Sequence, residues 1–97
     1  MKHHWIAVCV GQAPETGRFL ASCLTLWAVN RFDALNQVRR LLPEHENWVA
    51  PDGALRPFRV LTLEQCAPSE AEQRAMIYMR SLYELVHDGS GPTAHSA

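Results

Sequence analysis

The sequence predicts an α+β domain: a two-layer sandwich in which a mostly antiparallel, four-stranded sheet carries two helices on one face, in the order ββαββα. Three observations lead there. Two β-rich segments flank a short connection containing Gly11, Pro14 and Gly17. A 3.6-residue apolar period follows them directly. The same succession, β-like segments and then a helical period, returns in the second half of the chain.

Each element has a local reason. His3 to Val10 alternates and is rich in β-formers, which predicts a strand, and residues 18 to 29, "RFLASCLTLWAV", predict a longer second one. The short "GQAPETG" link between them calls for an antiparallel hairpin. At Asn30 the period changes. Asn30 is suited to cap a helix and Asp33 to sit in its first turn, where an acid suits the helix dipole. Ala34, Leu35, Val38, Leu41 and Leu42 then form one stripe, and Pro43 ends the run.

The second half is read in the same way. "PDG" at 51 to 53 marks a turn between a short strand at 47 to 50 and a longer one at 55 to 65, so Trp48 is expected on a strand. Pro57 moves the start of the longer strand to an edge or bulge. Ser69 and Glu72 have capping-box spacing and open a helix over 70 to 87, with Ala71, Ala75, Met79, Leu82, Tyr83 and Val86 inward and Gly89 as the stop. The expected division is a single domain over 1–87 and a flexible tail over 88–97. The two halves echo each other only faintly, "HHWIAV" against "HENWVAP".

Composition narrows the function classes. The chain has 97 residues, 47% of them hydrophobic and 20% charged, which is the make-up of a globular domain. A net charge of −1 supplies no basic footprint for nucleic acid or for an anionic membrane. No apolar run approaches the roughly 20 residues that span a bilayer, and the N-terminus does not read as a signal peptide. Three cysteines without C-x-x-C spacing argue against a disulfide framework or a thiolate zinc site. A cytoplasmic setting with reduced thiols is expected. Eight of the nine basic residues are Arg, which hints at a GC-rich bacterial genome.

Strand parity supplies the candidate site. On the first strand Ile6, Val8 and Val10 share one face, and Trp5, Ala7 and Cys9 the other. On the second, Leu20, Leu24 and Leu26 oppose Phe19, Ala21, Cys23, Thr25 and Trp27. A sheet with helices on one side alone should alternate apolar with polar, and these strands do not. The aliphatic set suits the face under the helices. The second set, with Trp5, Cys9, Phe19, Cys23 and Trp27, is then left as an open apolar face, which normally marks an interaction site. Its three aromatics would hide on the order of 500 Å². Trp48 joins this set, with Arg39 and Arg40 as rim contacts. The competing arrangement has a helix on each face, or the tail folded over the second one, so that both faces are core.

Catalytic signatures are scarce. His3, His4, His45, His87 and His95 are scattered, and no H-E-x-x-H, G-x-S-x-G or P-loop pattern occurs. Cys9 and Cys23 read as small buried hydrophobes rather than nucleophiles, and Glu44, His45 and Glu46 as a solvated loop. Met1-Lys2-His3 offers the four nitrogens that Cu(II) and Ni(II) favour in a plane. No cofactor or structural metal is expected from these patterns. The expected function is a non-enzymatic protein-binding module, acting as a homodimer or as an adaptor or inhibitor of a larger complex. A phage or mobile-element inhibitor in the size range of the anti-CRISPR proteins is one such case, an analogy of size only. The alternatives are a single-stranded nucleic-acid binder, since exposed sheet aromatics stack bases, and a thiol- or metal-dependent enzyme.

Overall fold

A computed structural model describes residues 1–87; the tail expected at 88–97 lies outside them. Strands β1 (His3–Ala13) and β2 (Arg18–Ala28) form a hairpin, followed by helix α1 (Arg31–Leu41). Two 3-10 turns, Leu42–Glu44 and Glu46–Trp48, lead to strand β3 (Phe58–Gln65) and helix α2 (Pro68–His87). The class is α+β, as the patterning predicts, but the sheet has three strands and the order is ββαβα. The strands run β2-β1-β3 across the sheet, antiparallel throughout.

The missing strand is the one expected at 47 to 50. The Pro-Asp-Gly turn does form: the Gly53 N–H donates to the Ala50 carbonyl at 2.8 Å, and Gly53 adopts φ +89°, a conformation that favours glycine. Only one bridge, Val49 to Leu55, extends from it. Pro51 and Pro57 each lack an N–H to donate, and the residues before the turn coil into 3-10 geometry instead. Trp48 is thereby swung off any ladder and into the core.

The hairpin register decides everything about the faces. A four-residue loop, Pro14 to Gly17, closes it; Gly17 takes φ +70° and its N–H reaches the Ala13 carbonyl at 2.9 Å. Ala13 then pairs with Arg18, Trp5 with Leu26, Ala7 with Leu24 and Val8 with Cys23. Odd-numbered residues of β1 therefore share a face with even-numbered residues of β2. The grouping expected from composition, aliphatics together and aromatics together, is not the one formed.

Helix α1 begins as read: Asn30 Oδ1 accepts the Asp33 N–H at 2.8 Å and Asp33 Oδ2 accepts the Val29 N–H at 3.0 Å. Such reciprocal caps stabilise a helix start by about 1 kcal/mol. Ala34 and Val38 pack on Trp5, Ala7, Leu24, Leu26 and Leu63. Pro68 takes the first turn of α2, where its missing N–H costs nothing, so the helix opens before Ser69. Its Ala71, with Ala75 and Tyr78 beside it, packs on Ile6, Cys23 and Cys66. The two helices thus lie on opposite faces of the sheet, not on one. The reason is β1, whose Trp5 to Cys9 are apolar and buried on both sides and require a cover above and below.

The remainder of the α1 face is closed by Trp48, 1% exposed. Its Nε1 donates to Ser22 Oγ at 2.8 Å, and its ring lies over Gly11, where an added Cβ would sit 2.8 Å from the indole and 2.9 Å from the Pro57 carbonyl oxygen. Arg56 locks the loop: its guanidinium forms a two-pronged pair with Glu15 of the hairpin turn, and its Nε donates to the Asn47 carbonyl at 3.1 Å. The Arg56 guanidinium holds the Glu15 carboxyl below the usual Glu range.

Gly11→Ala is expected to lower stability by about 1–3 kcal/mol through overpacking, read as a lower urea midpoint with an unchanged slope. A group with a depressed folded pKa stabilises above its unfolded pKa, and that contribution disappears as pH falls through the folded value. Wild type should therefore exceed Glu15→Gln in urea stability at neutral pH. The gap should close on acidification below the ordinary Glu range.

Candidate functional site

With a helix over the middle of each sheet face, the surface left for binding centres on an edge. β2 pairs with β1 alone, so among the described residues its outer edge has no partner strand. It is eleven residues long, and Arg18 is its single charge. Native edge strands are usually short, or guarded by charge, proline or a bulge. β2 has none of these guards along Phe19 to Ala28. β3 is the other edge, and there a bulge between its pairings with Val8 and Cys9 leaves Leu61 out of the ladder and half-exposed.

Helix α2 adds a wall beside this edge. Two of its residues anchor one flank to β3: Arg74 Nη1 donates to Glu64 Oε1 at 3.1 Å and the Tyr78 hydroxyl donates to the same carboxylate. That bond pushes the Tyr78 phenol above its ordinary value, with burial adding to the effect. The opposite flank consequently turns toward β2. There Phe19 and Ala21 of the strand and Met79, Leu82, Tyr83 and Val86 of the helix line an apolar groove of about 650 Å³. Tyr83 and Val86, read as inward from the period, are 64% and 40% exposed along this groove.

The residues expected to bind are divided by this geometry. Trp5 is 6% exposed beneath α1, with Nε1 donating to the Ala28 carbonyl at 3.0 Å, and Cys9 and Trp48 are buried on the same side. These three belong to the core, and their assignment to a docking face is corrected. Phe19 and Trp27 remain surface residues, 44% and 53% exposed, near the two ends of β2 on the α2 side; Trp27 meets the His4 ring edge-on. Cys23 lies between them, partly covered by α2. Arg39 and Arg40 lie on α1, across the sheet, with Arg39 over the Phe58 ring and Arg40 at 3.4 Å from Gln37 Oε1. They do not rim the β2 edge. Leu82 and Met79 were legible as apolar, and Met76, 64% exposed, was missed; the signal for it was a second apolar stripe on the same helix.

The groove and the β2 edge offer apolar side chains for packing. Burial raises the Cys9 thiol to about 11, helped by the nearby Cys23. Burial likewise raises Cys23, with Cys66 contributing. All three cysteines are free thiols. Among the described residues no group of three His, Cys, Asp or Glu side chains gathers to hold a metal, and no helix is long and apolar enough to cross a membrane. Comparison with protein-family models, curated proteins and solved structures finds no match to this chain.

Because the thiolate is the reacting form, iodoacetamide at neutral pH should leave Cys9 unmodified in the folded protein. Labelling, followed by mass spectrometry of peptides, should appear on urea unfolding. Rapid native alkylation of Cys9 would contradict its burial.

Proposed function

We propose that this chain is a small protein-binding module that works by strand addition. An extended segment of a protein partner pairs with the outer edge of β2, while Phe19, Trp27 and the apolar flank of α2 grip its side chains. Backbone hydrogen bonds supply affinity in this mode and the flanking pockets supply specificity. The observation that carries the reading is the coincidence of a long, unguarded, apolar edge with an apolar groove opening beside it.

Occupying a sheet edge needs no catalysis, so the activity is that of an adaptor or an inhibitor of a larger complex. The Arg-rich, near-neutral composition supports a bacterial cytoplasmic setting for it. A helix covers the middle of each sheet face, and the exposed Phe19 and Trp27 stand at opposite ends of β2 rather than as one stacking platform, which favours a protein partner over single-stranded nucleic acid.

The test is selection of a displayed random-peptide library on the protein immobilised sparsely enough to keep copies apart. Enriched peptides should alternate apolar and polar residues, as strands do. Their affinity should fall at least tenfold against Trp27→Lys, a change worth about 1.4 kcal/mol or more, and stay level against Arg39→Ala on the far side. Equal binding to Trp27→Lys would overturn the proposal, as would no enrichment on a chain that light scattering shows to have the single-chain mass.

A further inference from the structure

The β2 edge is complementary to itself, and we infer that a second copy of this chain occupies it, forming a two-fold dimer whose β2 strands pair antiparallel about Cys23. The inference rests on the docking edge proposed above and names its partner. In a dimer whose axis is perpendicular to the sheet, residues opposite one another must lie on the same face, so the axis passes through a residue and not between two. Centring it on Cys23 overlaps the whole of Arg18–Ala28.

That register matches four side-chain pairs, while Cys23 faces its own copy and Ser22, whose hydroxyl already accepts from Trp48, lies opposite Leu24. Phe19 meets the second copy's Trp27 on the α2 side, at both ends of the seam, which is an aromatic cross-strand pair of the stabilising kind. On the α1 side Leu20 faces Leu26. Ala21 faces Thr25, small against β-branched. The strand's one charge, Arg18, faces Ala28, so no like charges meet.

The helices agree with the strands. Rotation about such an axis keeps both α2 helices on one face, side by side and antiparallel across the seam. Met76, Met79, Tyr83 and Val86 fall at i, i+3, i+7 and i+10, one stripe of a helix. Met79, Tyr83 and Val86 line the groove that opens toward β2, and Met76 continues their stripe one turn earlier. Met76 is 64% exposed in the single chain and Val86 40%, and in the dimer each stripe faces its copy. The area is also sufficient. Half-exposed Phe19 and Trp27 with this stripe leave on the order of 500 Å² of apolar surface per protomer. An eleven-residue backbone seam brings the total toward the about 800 Å² per partner of a stable interface.

Light scattering on a size-exclusion column should give twice the 10.9 kDa chain mass across a wide dilution series. Trp27→Lys and Met76→Glu alter exposed side chains outside the core, so each should give a folded monomer, with the helix and sheet dichroism retained. Disulfide trapping reads the register. Opposed residues of an antiparallel pair have Cα atoms roughly 4.5–5.5 Å apart, within the disulfide range, whereas a two-residue slip moves them out of it. In a Cys23→Ser background, the double variant Ala21→Cys with Thr25→Cys should therefore become a covalent dimer on oxidation, and each single variant should not.

A single-chain mass at every concentration overturns self-pairing. If peptide selection on β2 succeeds in that case, strand addition stands with a different partner. A dimer indifferent to Trp27→Lys and Met76→Glu overturns the interface, and a dimer that fails to trap overturns the register.

Discussion

The structure depends on the burial of β1 from both sides. Its residues Trp5 to Cys9 are all apolar and all buried, so the strand must be central, and each face must be covered by something the chain can supply. Among the described residues, one helix above and one below meet that requirement. The helices are unequal in reach. α1 leaves part of its face uncovered, and that part is filled by Trp48, delivered by a loop that Arg56 ties to the hairpin turn. This explains why a bulky indole sits in a polar, turn-rich stretch: it is the plug of a core whose helix is too short.

The same economy creates the exposed edge. Three strands have two edges, and both helices are spent on faces. α2 is held to β3 by the Glu64 carboxylate, which accepts from Arg74 and Tyr78. Its apolar flank is thereby left toward β2, with Met76 64% and Val86 40% exposed. A long strand edge carries a row of backbone donors and acceptors that water satisfies adequately and another strand satisfies with less solvent exposed. The functional reading is thus a consequence of how the core was closed, not a separate feature placed on the surface.

The dimer proposed for this edge extends the same physics. It adds no new chemistry: three strands become six, and two half-covered helices become a pair. On the α2 side, aromatic residues near both ends of one strand with the smaller Ala21, Cys23 and Thr25 between them are what an antiparallel copy of that strand can match.

Much of the local structure was legible in the sequence. Asn30 and Asp33 marked a helix start, Pro43 its end, and Pro51-Asp52-Gly53 a turn, because caps, proline sterics and left-handed glycine act over a few residues. The apolar character of both faces of the first two strands was also visible, and it is real. What it meant was decided elsewhere. Whether Trp5 and Trp27 share a face depends on the hairpin register, and a loop of even length placed them on opposite sides, one in the core and one at the surface. Whether Trp48 is on a strand or in the core depends on a cavity over Gly11 built from residues far away in the chain. Period and propensity are local quantities. Register, the side each helix takes and the edge left free are set by packing between distant segments, and only the folded chain contains that information.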